Sequence, residues 1–191
     1  MTKPNLPMPA TIILLNGIGS VGKSSTARAL QAIARTPLLH VAMDTFLEML
    51  PERYLSHPEG LLFERITEHG VPSIAIRSGP VLARLMAGMR HAVAALAAQG
   101  NSLILDEVLT APAQAEAYRT LLAPYRLLFV ALHAPLHVLE SRERARGDRE
   151  LGLARWQWGR VHQGIAYDLE LDTQALSPAE TARRIRDRFN L

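Results

Sequence analysis

The sequence predicts an α/β fold, a parallel five-stranded sheet with helices on both faces and a small lid. Short apolar runs alternate with helix-length segments along the 191 residues, the pattern of parallel strands joined by helical crossovers. The first run, Ile12-Ile13-Leu14-Leu15, is unbroken, as in a strand covered on both faces. It passes at once into the glycine-rich stretch Gly17-Ile18-Gly19-Ser20-Val21-Gly22-Lys23-Ser24 and then a segment free of proline and glycine.

Each element follows from its local pattern. Residues 11–16 form the first strand, and residues 24–34, with Ala27, Leu30, Ala32 and Ile33, the first helix. Residues 38–43 make the second strand, followed by a short helix over 45–50. The stretch 51–79 is the least regular, punctuated by Pro51, Pro58, Gly60, Gly70, Pro72 and Gly79, with a hairpin across 62–76. Irregular stretches of this size inside compact domains are usually functional. A long helix over 80–98 leads to a third strand at 101–105, and a helix over 112–122 to a fourth at 126–132. Helices over 135–145 and 151–162 precede a short fifth strand at 169–171. The final helix, 178–189, opens on Ser177-Pro178-Ala179-Glu180, with the cap residue, the first-position proline and the reciprocal glutamate of a capping box.

Composition narrows the classes. At 48% hydrophobic and 20% charged residues, the chain is neither disordered nor membrane-like. Its length suits one domain over residues 1–191, large enough to bury a full core. No apolar run reads as a membrane span and the N-terminal segment lacks a signal-peptide apolar region, so the expected location is the cytoplasm. The absence of cysteine removes disulfides and thiolate metal sites. A net charge of +3 favours anionic partners, a requirement that a nucleotide satisfies without nucleic acid.

The glycine stretch fits G-x-x-x-x-G-K-[ST], the Walker A loop. Gly17, Gly19 and Gly22 permit backbone turns that aim successive N–H groups at phosphate oxygens, and the following helix N-terminus adds its dipole. The expected cradle spans Gly17, Ile18, Gly19, Ser20, Val21, Gly22, Lys23, Ser24 and Ser25, with Lys23 on the β- and γ-phosphates of ATP and the Ser24 hydroxyl on Mg²⁺. Only two of the twenty-one basic residues are lysines, and Lys23 holds the position where a compact ammonium works differently from a guanidinium fork.

Two of six aspartates end apolar strands, where ligands of parallel sheets gather. Asp106 closes Ser102-Leu103-Ile104-Leu105 in the Walker B pattern and is the expected second metal-site residue. Asp44 follows Leu38-Leu39-His40-Val41-Ala42-Met43 and is either a helix N-cap or a base for an acceptor hydroxyl. The run Arg142-Glu143-Arg144-Ala145-Arg146-Gly147-Asp148-Arg149 is either a solvated, ion-paired helix end or a lid whose guanidinium groups neutralise a transferring phosphoryl group.

The sequence resembles the chloramphenicol phosphotransferases, small P-loop kinases that phosphorylate the antibiotic's 3-hydroxyl. The resemblance spans residues 11–180 and is strongest in the Walker A loop, Met43-Asp44 with the helix ending at Pro51, Ile104-Leu105-Asp106, the Arg142 to Arg149 run, and Val161-His162-Gln163-Gly164 through Tyr167-Asp168 to Asp172-Thr173. It implies that Asp44 is the catalytic base, with Lys23, Arg142 and Arg146 also catalytic and Arg149 near the triphosphate. It implies a lid over about 142–155 and an acceptor-binding region over about 45–90. That region matches the family mainly through Pro51 and Gly79-Pro80, and Arg144 replaces a smaller polar residue. The implied reaction is transfer from ATP·Mg²⁺ to the hydroxyl of a small molecule, chloramphenicol or another acceptor such as a nucleoside or sugar nucleotide, in a protein that could form homo-oligomers. A non-catalytic nucleotide switch is the contrasting class, but neither lysine lies in an N-K-x-D motif.

Overall fold

Strand β1, Thr11–Asn16, sits at the centre of the main sheet because Ile12 to Leu15 have no polar face to offer water; all four are 0% exposed. The computed structural model describes residues 9–68, 70–147 and 151–191. Around β1 lie β2 (Leu38–Ala42), β5 (Ser102–Glu107), β6 (Arg126–His133) and β7 (Leu169–Asp172), in the order β2-β5-β1-β6-β7. Every pairing is parallel. The remaining strands, β3 (Leu61–Glu68) and β4 (Val71–Ser78), form a separate antiparallel hairpin, whose turn carries Gly70 at φ 78°, a conformation costly for a residue with a Cβ.

The crossovers are helical, as is usual for the connections between parallel strands. They are α1 (Lys23–Ile33), α2 (Met43–Leu47), α3 (Pro80–Ala98), α4 (Pro112–Leu121), α5 (Leu136–Arg146) and α6 (Leu153–Trp158), and α7 (Pro178–Phe189) follows the last strand. Side chains alternate across a strand, and the two faces separate accordingly. Ile13, Leu15, Ile104, Val130 and Leu132 pack with Ala27 and Leu30 of α1, Leu139 of α5, and Ile185 and Phe189 of α7. Ile12, Leu14, Leu103, Leu105 and Phe129 pack on the opposite face with Val93 and Ala97 of α3 and Tyr118 of α4. Each such buried aliphatic side chain contributes about 1.5–3 kcal/mol.

A third, smaller cluster centres on Leu50, Leu61 and Leu82, with Leu47, Tyr54 and Ile76 against it. It ties α2, the hairpin base and the start of α3 into one unit outside the main sheet. Gly79 N donates to Gly60 O at 2.7 Å and Val81 N to Glu59 O at 2.9 Å. A Cβ on Gly79 would fall 2.1 Å from Glu59 C and 2.2 Å from Pro58 O. Gly79→Ala is therefore expected to cost about 1–3 kcal/mol, measured as a lower denaturant midpoint, because the obstacle is backbone and cannot rotate away.

Several element boundaries differ from the sequence expectation for local reasons. β2 ends at Ala42 and the short helix begins at Met43, so Asp44 lies in the helix's first turn and Ala42 takes the cap position. The helix expected over 151–162 is only Leu153–Trp158, starting after Gly152 at φ 105° and stopping at Gly159. Helix α3 is long and apolar enough by length and composition to cross a membrane, yet Leu82, Met89, Val93 and Ala97 bury one stripe of it against the protein. Helix α7 has the expected capping box, with Ser177 Oγ accepting from Glu180 N and Glu180 Oε2 accepting from Ser177 N at 2.8 Å.

Candidate active site at the carboxyl edge of the sheet

The loop between β1 and α1 runs directly from the sheet's central strand into a helix N-terminus. Gly22 precedes α1 at φ 100° and Ser20 also has positive φ, 66°, so the chain folds over itself within a few residues and turns its amides inward. Gly17 is needed for a different reason: a Cβ there would meet Leu132 O at 2.8 Å. No acidic residue stands in the first turn of α1, leaving the dipole end open to an anion.

Lys23 is only 8% exposed. Its Nζ donates to Gly17 O at 2.8 Å and lies 3.9 Å from Asp106 Oδ1. Ser24 Oγ donates to Asp106 Oδ2 at 2.6 Å, while His40 Nε2 stands 3.5 Å from the same oxygen, outside hydrogen-bond geometry. Burial works against the charge of Asp106, and the His40, Lys23 and Ser24 neighbours outweigh it, holding its carboxyl below the usual range. A hydroxyl and an ionised carboxylate in contact are the hard oxygen donors that suit Mg²⁺, which keeps waters and phosphate oxygens in its remaining positions. Among the described residues no group of three or more His, Asp or Glu could hold a metal ion.

Asp44 joins this edge through sheet register. Ala42 pairs with Asp106, so Asp44, two residues further on and exposed, stands beyond the carboxyl end of the strand next to the Asp106 strand. Ser25 is exposed on α1. Glu107 is directed elsewhere. It pairs with Asn16 in the sheet and receives a hydrogen bond from Tyr118 on α4, on the face opposite the glycine loop. Burial pushes its carboxyl above the ordinary value near 4.5, against the opposing Tyr118 bond.

The sign of that shift gives a stability prediction. A carboxyl whose folded pKa is raised contributes fully below its unfolded value, and the contribution fades as pH rises through the folded pKa. Wild-type melting temperature is expected to carry a falling contribution from Glu107 as pH climbs from about 4.5, and Glu107→Gln, which mimics the protonated acid, is expected to remove it. Parallel slopes for the two proteins would contradict it.

The arginine run divides. Arg142 Nη1 and Nη2 donate to Thr173 Oγ1 at 3.2 Å and Thr173 O at 2.9 Å, and Thr173 Oγ1 in turn donates to Val21 O at 2.8 Å. Arg142 thus connects α5 through the segment after β7 to the glycine loop. Arg146 is exposed at the end of α5, and Arg149 lies outside the described residues. Glu143, expected in one reading as part of a solvated helix end, is instead 3% exposed and accepts from Gly152 N and Ala154 N, both at 2.9 Å. Those are orphan amides at the start of α6.

Two further contributors, Asn16 and Gln157, have little or no signal in the sequence. Asn16 Nδ2 donates to Tyr167 OH at 2.6 Å, and Asn16 Oδ1 accepts from Leu109 N at 2.8 Å; Tyr167 OH also meets His162 Nδ1 at 2.9 Å. Burial, with His133 and Lys23 nearby, pushes His162 down to about 4, leaving it neutral at pH 7. Gln157 on α6 accepts from Gly19 N at 2.7 Å. Asn16, as the last residue of an apolar strand, carried a positional signal; a lone glutamine inside a helix carried none. A cavity of about 280 Å³ adjoins the loop, lined by Ile18, Val21, His133, Leu139, Trp158 and His162.

A glycine loop between the first strand and first helix of a parallel sheet, with a strand-end aspartate beside its lysine and serine, is the arrangement of P-loop nucleotide-binding proteins. The chain belongs to the chloramphenicol phosphotransferase-like family, whose model matches residues 10–190. It is a phosphotransferase with a hydroxyl group as acceptor. It is 32% identical over 184 residues to "Putative O-phosphotransferase Rv2636" of Mycobacterium tuberculosis strain H37Rv, covering 93% of this chain and 81% of that protein. In fold it is similar to the Mycobacterium tuberculosis APS kinase in complex with AMPPNP and APS, with TM-score 0.67, 16% identity and coverage of 97% and 100% of the two chains. An unliganded sugar kinase from Janibacter gives TM-score 0.66 at 17% identity, covering 95% of each chain.

Proposed function

We propose that this chain transfers the γ-phosphoryl group of ATP, with Mg²⁺, to a hydroxyl of a small molecule, as a cytoplasmic enzyme. The observation that carries the reading is Asp106 in contact with both Lys23 and Ser24 beneath the glycine loop. The backbone amides of Gly17 to Ser25 would hold the phosphates, with the Lys23 ammonium leaving Gly17 O for their oxygens. Ser24 and Asp106 would hold Mg²⁺, which supplies charge neutralisation and alignment of the phosphates when bound.

In the proposed step Asp44 orients the acceptor hydroxyl and takes its proton as the oxygen bonds to the γ-phosphorus and the bond to the β-phosphate oxygen breaks, releasing ADP. Arg142, Arg146 and Arg149, in the lid over about 142–155, are assigned to the charge spreading over the transferring group. The unit over about 45–90, with its own apolar cluster, is assigned to the acceptor, in one domain with the rest. Membership of the family supports chloramphenicol as the first acceptor to test, and antibiotic inactivation as the role. The fold likeness to an APS kinase and a sugar kinase supports trying phosphorylated nucleosides and sugars beside it.

The test is incubation with ATP, Mg²⁺ and a panel of hydroxylated antibiotics, nucleosides and sugars, read by mass spectrometry. One compound is expected to gain a single phosphate while ATP becomes ADP. Loss of ATP with no phosphorylated product from any panel member would favour a nucleotide switch and overturn the assignment.

A further inference from the structure

Helix α6 makes ordered contacts with three parts of the molecule. At its start, the buried Glu143 carboxylate clamps Gly152 N and Ala154 N and so fastens α6 to α5. Gly152 O accepts from Ile74 N and Ser73 Oγ of β4, each at 3.2 Å. Beyond the helix's end, Arg160 pairs with Glu68 of β3 at 2.6 Å and lies over the Trp156 ring at 4.6 Å. Between these anchors Gln157, 3% exposed, receives Gly19 N. A buried backbone N–H without a partner is costly, so the Gln157 carboxamide fixes where the first half of the loop lies. It is a neutral oxygen placed where a carboxylate would repel phosphate.

We infer that Gln157 is a positioning residue through which the β3–β4 hairpin sets the loop at Gly19, so that the acceptor region and the phosphate cradle are coupled through α6. The catalytic half of this inference rests on the phosphotransferase reading above; the structural half does not. Hairpin, α6 and loop form one hydrogen-bonded series, and a shift of β4 moves Gly152, the Glu143 clamp and hence the carboxamide on Gly19. The series assigns α6 a function that its short length and mixed composition conceal.

Two readouts separate the inference from the reading it builds on. Amide hydrogen exchange at Gly19, without nucleotide, is expected to speed up about tenfold or more in Gln157→Met and in the double variant Ser73→Ala/Arg160→Met, whose changes do not touch the loop. Gln157→Glu, which keeps an acceptor oxygen, should hold the wild-type protection. In steady-state kinetics with the acceptor, Gln157→Met should lower kcat about 10- to 100-fold with the KM for ATP changed less than about threefold, because the loss is one of alignment. Unchanged Gly19 exchange in the Ser73→Ala/Arg160→Met protein, with its fold intact by circular dichroism, overturns the coupling whatever the enzyme transfers. Wild-type kcat in Gln157→Met overturns the positioning role. Failure of the wild-type protein to transfer phosphate sinks the phosphotransferase reading instead, and the exchange experiment still decides the inference.

Discussion

Lys23→Ala is expected to reduce phosphoryl transfer by at least about 10³-fold, at the upper end of what removal of one preorganised donor costs. The lysine is a buried cation of the site, 3.9 Å from Asp106 Oδ1 and bonded to Gly17 O. Its removal has two effects with the same sign: the phosphates lose their ammonium partner, and the Asp106 carboxylate loses one of the neighbours that keep it ionised against burial. Lys23→Arg is expected to recover little, since a planar fork cannot occupy the space between Gly17 O and Asp106 filled by a compact ammonium. The check is kcat/KM for ATP alongside a calorimetric titration with an ATP analogue. Activity within threefold of wild type in Lys23→Ala would remove the lysine from the mechanism.

Asp44→Asn is expected to lower kcat by about 10²- to 10⁴-fold, the range for loss of a general base, with ATP affinity unchanged. Asparagine preserves volume and one hydrogen-bonding oxygen but cannot accept a proton. Asp44 stands in the first turn of α2, not at the cap, so the substitution removes no side-chain cap from the helix. The separation of effects is the informative part. Lys23→Ala should weaken both nucleotide binding and turnover, whereas Asp44→Asn should leave binding intact and stop only the step after it. Equal turnover in Asp44→Asn and wild type would transfer the base role to another group.

The sheet and its loop were legible in the sequence because their signals are local. Ile12 to Leu15 and Leu103 to Leu105 are apolar without interruption, and both are buried on two faces of the main sheet. The Walker A spacing and the strand-closing Asp106 likewise depend on contiguous residues, and the structure brings Lys23, Ser24 and Asp106 into contact across 82 residues of chain. What stayed hidden was set by long-range packing. Glu143 read equally well as a solvated charge until Gly152 N and Ala154 N were found on it. Gln157 meets Gly19 from 138 residues away, and no periodicity marks such a pair. Asp44 stands at the expected edge but inside α2 rather than ahead of it, because the run to Met43 is apolar while the helix begins at Met43, two residues sooner than the pattern suggests. The hairpin is expected over 62–76 and occupies Leu61–Glu68 and Val71–Ser78, longer at both ends because cross-strand pairing, which no local pattern marks, carries the strands out to Leu61 and Ser78.

The most direct test of the central claim is a crystal structure with Mg²⁺ and a non-hydrolysable ATP analogue. The account predicts the β- and γ-phosphates within hydrogen-bonding distance of the amides from Ser20 to Ser24, with Lys23 Nζ drawn from Gly17 O onto phosphate oxygens and the metal against Ser24 Oγ. An analogue seated elsewhere, with Lys23 still bonded to Gly17 O and Ser24 still bonded to Asp106, would contradict it.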